Sequence, residues 1–279
     1  MEFFNTQKRQ GKILLSDKKQ SLLFIIIVWA MALGMLLLPE SAQGLYGFTP
    51  LFTVCIMMFL IVRDGYKVEG WRRLGFNFKG GIEYILALVI PLCSLGVGYA
   101  VYWAEWKSSF IPPESWIETV IQLVVYIVIG SLSALGEEIG WRGWLLPRFQ
   151  WMGRVSSSIT LGLIWAMWHY PALLGPRAYH SSGNRWLVVT LFTLSVIFAG
   201  IIINELRLSS GSIWPAVLLH GTNNAIDSVM HNITTSSSPM LEYVAGESGV
   251  VPVILYGTAA IWILNRKRSS KRQKARIEL

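Results

Sequence analysis

The sequence is short of charged residues: Asp, Glu, Lys and Arg make up 14% of its 279 residues, while 53% are apolar. Soluble globular domains carry about 25% charged residues, so this shortage excludes an ordinary water-soluble domain. The apolar residues also fall in blocks long enough to cross a bilayer. The sequence therefore predicts a multi-pass integral membrane protein that is embedded in, and contacts, the lipid bilayer.

Reactive motifs are scarce too. The two cysteines, Cys55 and Cys93, lie in apolar runs, which favours buried thiols over a disulfide framework. The sequence has no Gly-x-Ser-x-Gly nucleophile motif and no His-Glu-x-x-His zinc-protease motif. A serine or cysteine hydrolase is thereby disfavoured. No internal repeat is visible either, which disfavours a transporter built from inverted repeats.

The net charge of +8 is distributed unevenly. Of the 24 Lys and Arg residues, 20 fall in the two termini and in the loops expected on their side of the membrane, and three fall in the opposite loops. Such a bias marks cytoplasmic segments, so we expect both termini in the cytoplasm and an even number of crossings. Aromatic residues are not interleaved with the basic runs, so no nucleic-acid partner is expected.

Hydropathy predicts an all-α, polytopic transmembrane helical bundle of about eight spans. The predicted spans are 22–38, 50–63, 81–103, 116–146, 156–174, 186–206, 212–230 and 249–265. The first block is too long for a signal peptide and lacks a good cleavage site, so it is expected to remain as an anchor. The fourth block is longer than one crossing needs, and its last turns are expected to bend or to run within the protein.

These spans divide the chain into five predicted regions. They are a basic cytoplasmic N-terminus (1–21), N-terminal transmembrane spans (22–115), a core that carries the intramembrane polar residues (116–230), an outer loop with the last span (231–265) and a basic cytoplasmic tail (266–279). The part of the outer loop at 231–248, with three serines at 236–238, is predicted to hold no site of its own.

The fourth span carries Glu137, Glu138 and Arg142 near its end. One charged side chain at mid-bilayer costs about 2.5–3.5 kcal/mol, so such groups are expected to be paired or to be functional. Glu138 and Arg142 are four residues apart on one helix face, which predicts an ion pair. Glu137 is rotated by about 100° from Glu138 and is free to point elsewhere.

Two later spans carry the other polar groups. Trp165 and His169 share a face of the fifth span, and His220 and Asn224 share a face of the seventh, where Gly221 would let a neighbouring helix approach. Alone, each pair is better explained by packing than by catalysis. Together the groups are complementary, because a carboxylate can take a proton from water, a histidine can relay it, and His and Asn can donate to an oxyanion. We predict that they meet around one pocket and hydrolyse an amide without a covalent intermediate.

A metal is the competing use of the same atoms. Glu137, His169 and His220 could supply three ligands of a zinc site with an open position. Because the His-Glu-x-x-His helix is missing, the sequence favours no metal and no other cofactor, with a divalent metal such as zinc as the alternative.

The three motifs, in this order on separate helices, resemble those of the CAAX protease and bacteriocin-processing (CPBP or Abi) family of intramembrane endopeptidases, similar to type II CAAX prenyl endopeptidases. They read Glu137-Glu-Ile-Gly-Trp-Arg142, Trp165-Ala-Met-Trp-His169 and His220-Gly-Thr-Asn-Asn224. The resemblance covers residues from about 120 to 230. Trp165 stands where the family usually has Phe, which bears on the shape of the pocket and not on the reaction.

The resemblance implies roles for these residues. Glu137 would activate the water with help from His169, while His220 and Asn224 would stabilise the oxyanion. Arg142 would pair with Glu138 or with a substrate carboxylate. The implied substrate is a peptide or a prenylated, membrane-associated protein, and the implied location is a cell membrane, expected to be prokaryotic. A non-catalytic membrane scaffold or bacteriocin-immunity factor is the alternative, beside a metal-dependent form of the same protease.

Overall fold

The computed structural model describes residues 15–39, 44–175, 183–235 and 239–277. Within these ranges the chain is helical, and the β-type pairing is limited to one isolated bridge between Phe110 and Thr234. The predicted all-α class is therefore confirmed. Most of the predicted basic N-terminus and the three serines at 236–238 lie outside the described residues.

Eleven α-helices follow one another in the described residues. They are α1 (Asp17–Met35), α2 (Thr49–Cys55), α3 (Val68–Leu74), α4 (Ile82–Glu105), α5 (Trp116–Glu138), α6 (Leu146–Phe149), α7 (Arg154–Leu174), α8 (Arg185–Ser210), α9 (Trp214–Asn232), α10 (Met240–Val244) and α11 (Val250–Ile277). Short 3₁₀ turns precede α2 and follow α4 and α6, and π-helical segments continue α2 over Ile56–Ile61 and α5 over Ile139–Leu145.

Four helical stretches are long and apolar enough to cross a membrane: Asp17–Met35, Ile82–Glu105, Trp116–Met152 and Arg185–Ser210. Two shorter apolar helices, Tyr46–Ile61 and Val250–Asn265, coincide with two further predicted spans. The remaining two predicted spans coincide with α7 and α9. The number of membrane crossings and the side on which the termini lie stay predictions.

The segment after α5 is π-helical, and all seven of its residues are buried. Glycines in the last turn of α5 and in this segment let the 3₁₀ turn before α2 and the start of α2 pack directly against them: a Cβ at Gly136 would lie 2.6 Å from Phe48 Cδ1, and one at Gly140 would lie 2.4 Å from Pro50 Cβ. π-helical turns are rare and occur often at functional sites. The expectation that the long fourth span ends within the protein is met here.

Helices α5 and α9 approach closely through two glycines. A Cβ at Gly221 would lie 2.4 Å from the backbone nitrogen of Ser131, and one at Gly130 would lie 2.8 Å from the carbonyl oxygen of Gly221. Small residues at such contacts let two backbones meet within a membrane. The predicted role of Gly221 is confirmed, and this contact brings the Glu137 helix beside the His220 helix.

One end of the bundle, here called the basic end, gathers the start of α1, residues 62–81, residues 148–154 and residues 207–213. Arg148 Nε donates to Gln20 Oε1 at 2.8 Å and lies 3.4 Å from Asp64 through Nη2. The Ile213 nitrogen donates to the Gly75 carbonyl at 3.0 Å. The described Lys and Arg residues at this end are Lys18, Lys19, Arg63, Lys67, Arg72, Arg73, Lys79, Arg148, Arg154 and Arg207.

The opposite end, here called the acidic end, joins residues 105–118 to residues 183–185 and 231–249. The Ile111 nitrogen donates to the Ile233 carbonyl at 2.9 Å, and the Thr235 nitrogen donates to the Ser109 carbonyl at 2.7 Å. Its described Lys and Arg residues are limited to Lys107 and Arg185, whereas Glu105, Glu114, Glu118, Glu242 and Glu247 lie at the same end.

The outer surface between the two ends is apolar. Val120, Val124 and Val128, which follow one face of α5, are each more than half exposed, as expected for side chains that face lipid. Cys55 and Cys93 are also exposed free thiols on this apolar surface. The expectation that both are buried is therefore wrong; hydrophobic runs that face lipid and those that face the core look alike in composition.

Candidate active site

A cavity of about 830 Å³ lies between α5, α7, α8 and α9. The side chains of Glu137, His169, His220 and Asn224 all line it, together with Trp165. The groups that the sequence predicted to meet are therefore brought together from three different helices.

Glu137 is half-buried in the wall of this cavity. Its Oε2 accepts a hydrogen bond from Trp165 Nε1 at 2.8 Å. Its Oε1 lies toward Gly47, where an added Cβ would be 3.8 Å away. The indole thus holds one carboxylate oxygen and leaves the other on the cavity side. Phenylalanine has no N–H to donate, so Trp165 changes the hydrogen bonding of the site as well as its shape.

Glu138 has the opposite environment and is 0% exposed. Its Oε1 accepts from Arg142 Nη1 at 2.8 Å and pairs with His220 Nδ1 at 2.9 Å. The ion pair predicted from the spacing of Glu138 and Arg142 is present. It also ties α5 to α9, because His220 lies on the second helix.

Arg142 is likewise 0% exposed and does not line the cavity. Its Nε donates to Asn204 Oδ1 at 3.0 Å, and its guanidinium carbon lies 4.2 Å from the centroid of the Trp165 ring. Gly200 leaves room for it, since a Cβ there would lie 3.5 Å from Nη2. Of the two partners that the resemblance allowed, the geometry therefore favours Glu138 over a substrate carboxylate.

His169 has its tautomer set by its own helix. Its Nδ1 lies 2.8 Å from the carbonyl oxygen of Trp165, and because a carbonyl can only accept, Nδ1 carries the hydrogen. The Nε2 lone pair is then available as a base. The ring is held edge-on against Trp168 and Phe192, with centroids 4.7 and 5.1 Å away.

His220 and Asn224 follow each other by one turn on α9. The Nδ1 of His220 donates to the Glu138 carboxylate, which turns Nε2 away from Glu138, and the ring packs against Trp165 at 5.2 Å. The side chain of Asn224 is half-buried one turn farther toward the acidic end. Two polar groups of α9 thus line the same cavity as Glu137.

Sequence reasoning missed Asn204, which is 0% exposed and holds Arg142 in place. A signal for it exists, because an asparagine inside the long apolar run of α8 falls under the same rule that drew attention to Glu137. Asn223 was also missed: it lines the cavity and accepts a hydrogen bond from the Tyr256 hydroxyl at 2.6 Å.

The prediction that residues 231–248 hold no site is wrong at one position, because Glu247 lines the cavity. Asp227 of α9 lines it as well and accepts from the Tyr99 hydroxyl at 3.1 Å. No local pattern marks Glu247, which reaches the cavity through the fold of the loop between α10 and α11.

The alternative use of Glu137, His169 and His220 as zinc ligands stays a prediction. Among the residues that the structure describes, no three His, Cys, Asp or Glu side chains form a group that could hold a metal ion. The Nδ1 atoms of His169 and His220 are both engaged by protein oxygens, at 2.8 and 2.9 Å, which leaves Nε2 of each ring as the nitrogen that could bind a metal ion.

Residues 119–226 match the model of a protein family described as type II CAAX prenyl endopeptidase Rce1-like. The matched segment runs from α5 into α9 and contains every predicted site residue. It confirms the resemblance drawn from the three motifs, and the family's description implies a hydrolase of the endopeptidase type. Among curated proteins, none matches this chain.

Proposed function

We propose that this protein is an intramembrane endopeptidase that hydrolyses a peptide bond with a water activated by Glu137. The observation that carries the proposal is the meeting of Glu137, His169, His220 and Asn224 in the wall of one cavity. Four such groups around one space, in a protein whose surface is apolar, supply a base, a proton relay and two oxyanion donors.

In the proposed reaction Glu137 takes a proton from the attacking water through the oxygen that Trp165 does not bind. The hydroxide adds to the scissile carbonyl carbon and gives a tetrahedral oxyanion. The proton then passes to the leaving amine nitrogen, with the Nε2 lone pair of His169 as the relay. The C–N bond breaks, and Glu137 ends as the carboxylate with which it began.

His220 and Asn224 stabilise the oxyanion in this scheme. Asn224 donates through its side-chain amide. His220 donates through Nε2, which requires a hydrogen on both ring nitrogens, and Glu138 provides the counter-charge at 2.9 Å from Nδ1. Donors fixed in advance in a site that excludes bulk water stabilise developing charge without reorganisation.

The substrate class proposed from the family match is a peptide or a prenylated, membrane-associated protein. Apolar side chains from α8 and α9 form much of the remaining wall, which suits an apolar segment; they include Phe192, Val196, Ala199, Ile203 and Leu219. No step requires a metal or an organic cofactor.

The test compares membranes that contain the wild-type protein with membranes that contain Glu137→Gln, by labelling and sequencing all new N-termini. New termini are expected with the wild type and should disappear with Glu137→Gln. Glu118→Gln is the matched control, because Glu118 is an exposed glutamate at the start of the same helix. The same termini in all three membranes would refute the proposal.

A non-catalytic scaffold or immunity factor remains the alternative class. The fully buried contacts between Glu138, Arg142 and Asn204 would serve such a role equally well. That function predicts that Glu137→Gln alters partner binding or stability while no cleavage is lost, so the same experiment separates the two.

A further inference from the structure

We infer that the cavity opens at the extracytoplasmic face of the membrane, so that its substrate is a peptide segment presented from outside the cytoplasm. That a substrate enters there rests on the proposed function, whereas the side on which the cavity opens does not depend on any activity.

The cavity lies toward the acidic end of the bundle. Its wall includes the chain just after α1 at Leu36 and Leu37, the start of the next helical segment at Tyr46 and the end of α7 at Gly175. Helices α1 and α7 begin at the basic end, and the helical segment that begins at Tyr46 ends there at Ile61. All of these points are therefore at the far end of the bundle from the basic end. Leu37 is 88% exposed, so this part of the wall forms a rim.

Helix α9 runs along the cavity in the same direction, from the basic end to the acidic end. This helix starts beside the basic end, where Ile213 bonds to Gly75, and ends beside the acidic end, where Ile233 bonds to Ile111. His220 lies in its second turn, and the cavity continues along it through Asn224 to the exposed Ser228. Glu247 completes the rim from the loop that follows α10. The cavity therefore deepens from the acidic end toward Glu137.

The basic end contributes nothing to this wall. No Lys or Arg is among the described residues that line the cavity, and its ionisable members are carboxylates and histidines. Arg142 is 0% exposed and lies behind the ring of Trp165. A substrate that carries a C-terminal carboxylate would find no guanidinium or ammonium partner in the described wall.

The distribution of basic residues differs between the two ends. Among the described residues, ten Lys and Arg side chains lie at the basic end, against Lys107 and Arg185 at the acidic end. Lys and Arg in short loops are retained in the cytoplasm, so the basic end is cytoplasmic and the rim of the cavity faces outward.

The experiment measures the accessibility of single cysteines to a membrane-impermeant maleimide in intact cells. Cys55 and Cys93 are first replaced by alanine. Ser228→Cys places a thiol on the rim, and the matched Ser16→Cys places one at the basic end, where Ser16 is also exposed. We expect Ser228→Cys to react in intact cells and Ser16→Cys to react only after permeabilisation. The reverse pattern, or equal labelling of the two, would overturn the inference.

A second matched pair guards against a variant that fails to fold. Glu247→Cys lies on the rim and Glu69→Cys lies on the exposed surface of α3 at the basic end. The same contrast is expected for this pair. Labelling requires no cleavage, so a protein with no protease activity can still confirm or overturn the orientation.

A further experiment tests whether blocking the rim of the cavity reduces substrate cleavage. Once membranes show Glu137-dependent new N-termini, the bulky impermeant reagent is added to intact cells that carry Ser228→Cys or Ser16→Cys. Cleavage is expected to fall at least tenfold in the first and to stay unchanged in the second. Unchanged cleavage after complete labelling of Ser228→Cys would show that substrate does not enter past this rim.

Discussion

Glu137 and Glu138 are neighbours in the chain, yet they occupy the two most different environments in the site. Glu138 is fully buried and meets both Arg142 and His220 through one oxygen. Glu137 is half-buried, lines the cavity and accepts one hydrogen bond from a neutral indole. A carboxylate held by two basic groups is suited to fix helices in place, whereas one held by a neutral donor stays able to exchange a proton.

Of the two glutamates, Glu137 is expected to have the larger effect on activity. Replacing Glu137 by Gln keeps the size of the side chain but removes its basicity, and general-base catalysis is typically worth about 10²–10⁴ in rate. We expect kcat to fall by that amount with the melting temperature unchanged. The measurement is cleavage of the first identified substrate by purified protein, with Glu118→Gln as the control. A large drop in melting temperature would instead show that Glu137, like Glu138, stabilises the fold.

Of the two glutamates, Glu138 is expected to have the larger effect on stability. Alanine there leaves Arg142 as a buried charge without its carboxylate, and breaking a buried pair from one side costs about 3–5 kcal/mol. Thermal unfolding in detergent should show Glu138→Ala to be far less stable than Glu137→Ala. Equal melting temperatures for the two alanine variants would contradict this account.

A double variant provides the control for Glu138. Glu138→Leu combined with Arg142→Met removes both charges and fills similar volume, an exchange that is often neutral for buried pairs. It should recover part of the lost stability, although Asn204 and His220 each lose a partner.

Asn224→Ala should lower kcat by about 10²–10³, the usual loss when one oxyanion donor is removed. Because the donor acts mainly in the transition state, KM should change little. Asn232→Ala, at the exposed end of the same helix, is the control and should retain the wild-type rate. A rise in KM with kcat intact would instead make Asn224 a residue that binds substrate.

Trp165→Phe is expected to have the smallest effect, a fall of about tenfold in kcat. A hydrogen bond to a charged group is worth about 1.5–3 kcal/mol, and the half-exposed Glu137 can replace part of it with water. Phenylalanine keeps an aromatic face for Arg142, so the melting temperature should hold. Trp151→Phe, at an indole that is 55% exposed, is the control. An unchanged kcat would show that the indole N–H does not position Glu137.

Much of the candidate site could be predicted from helical periodicity and residue spacing. The four-residue spacing of Glu138 and Arg142 predicted their ion pair, and the rotation between adjacent helical residues predicted that Glu137 points elsewhere. The three pairs on separate helices were expected to converge, because unpaired polar groups are costly in a membrane. The predicted regions of the chain and the catalytic roles stay predictions.

Contacts between distant helices were harder to foresee. Asn204 reaches Arg142 from 62 positions away, and Glu247 enters the cavity from a loop that was expected to hold no site. The exposure of Cys55 and Cys93 was missed for a related reason: an apolar residue satisfies lipid and protein core alike, so composition cannot tell them apart.

The sequence by itself determined that this chain is a helical membrane protein and which polar side chains it places at helical spacing within apolar runs, because both follow from local composition and period. Only the tertiary structure decided which carboxylate faces the cavity, that Trp165 holds it, and at which end the cavity opens. Those features depend on how closely helices pack, and glycine contacts such as the one between α5 and α9 set that distance after the whole bundle has assembled.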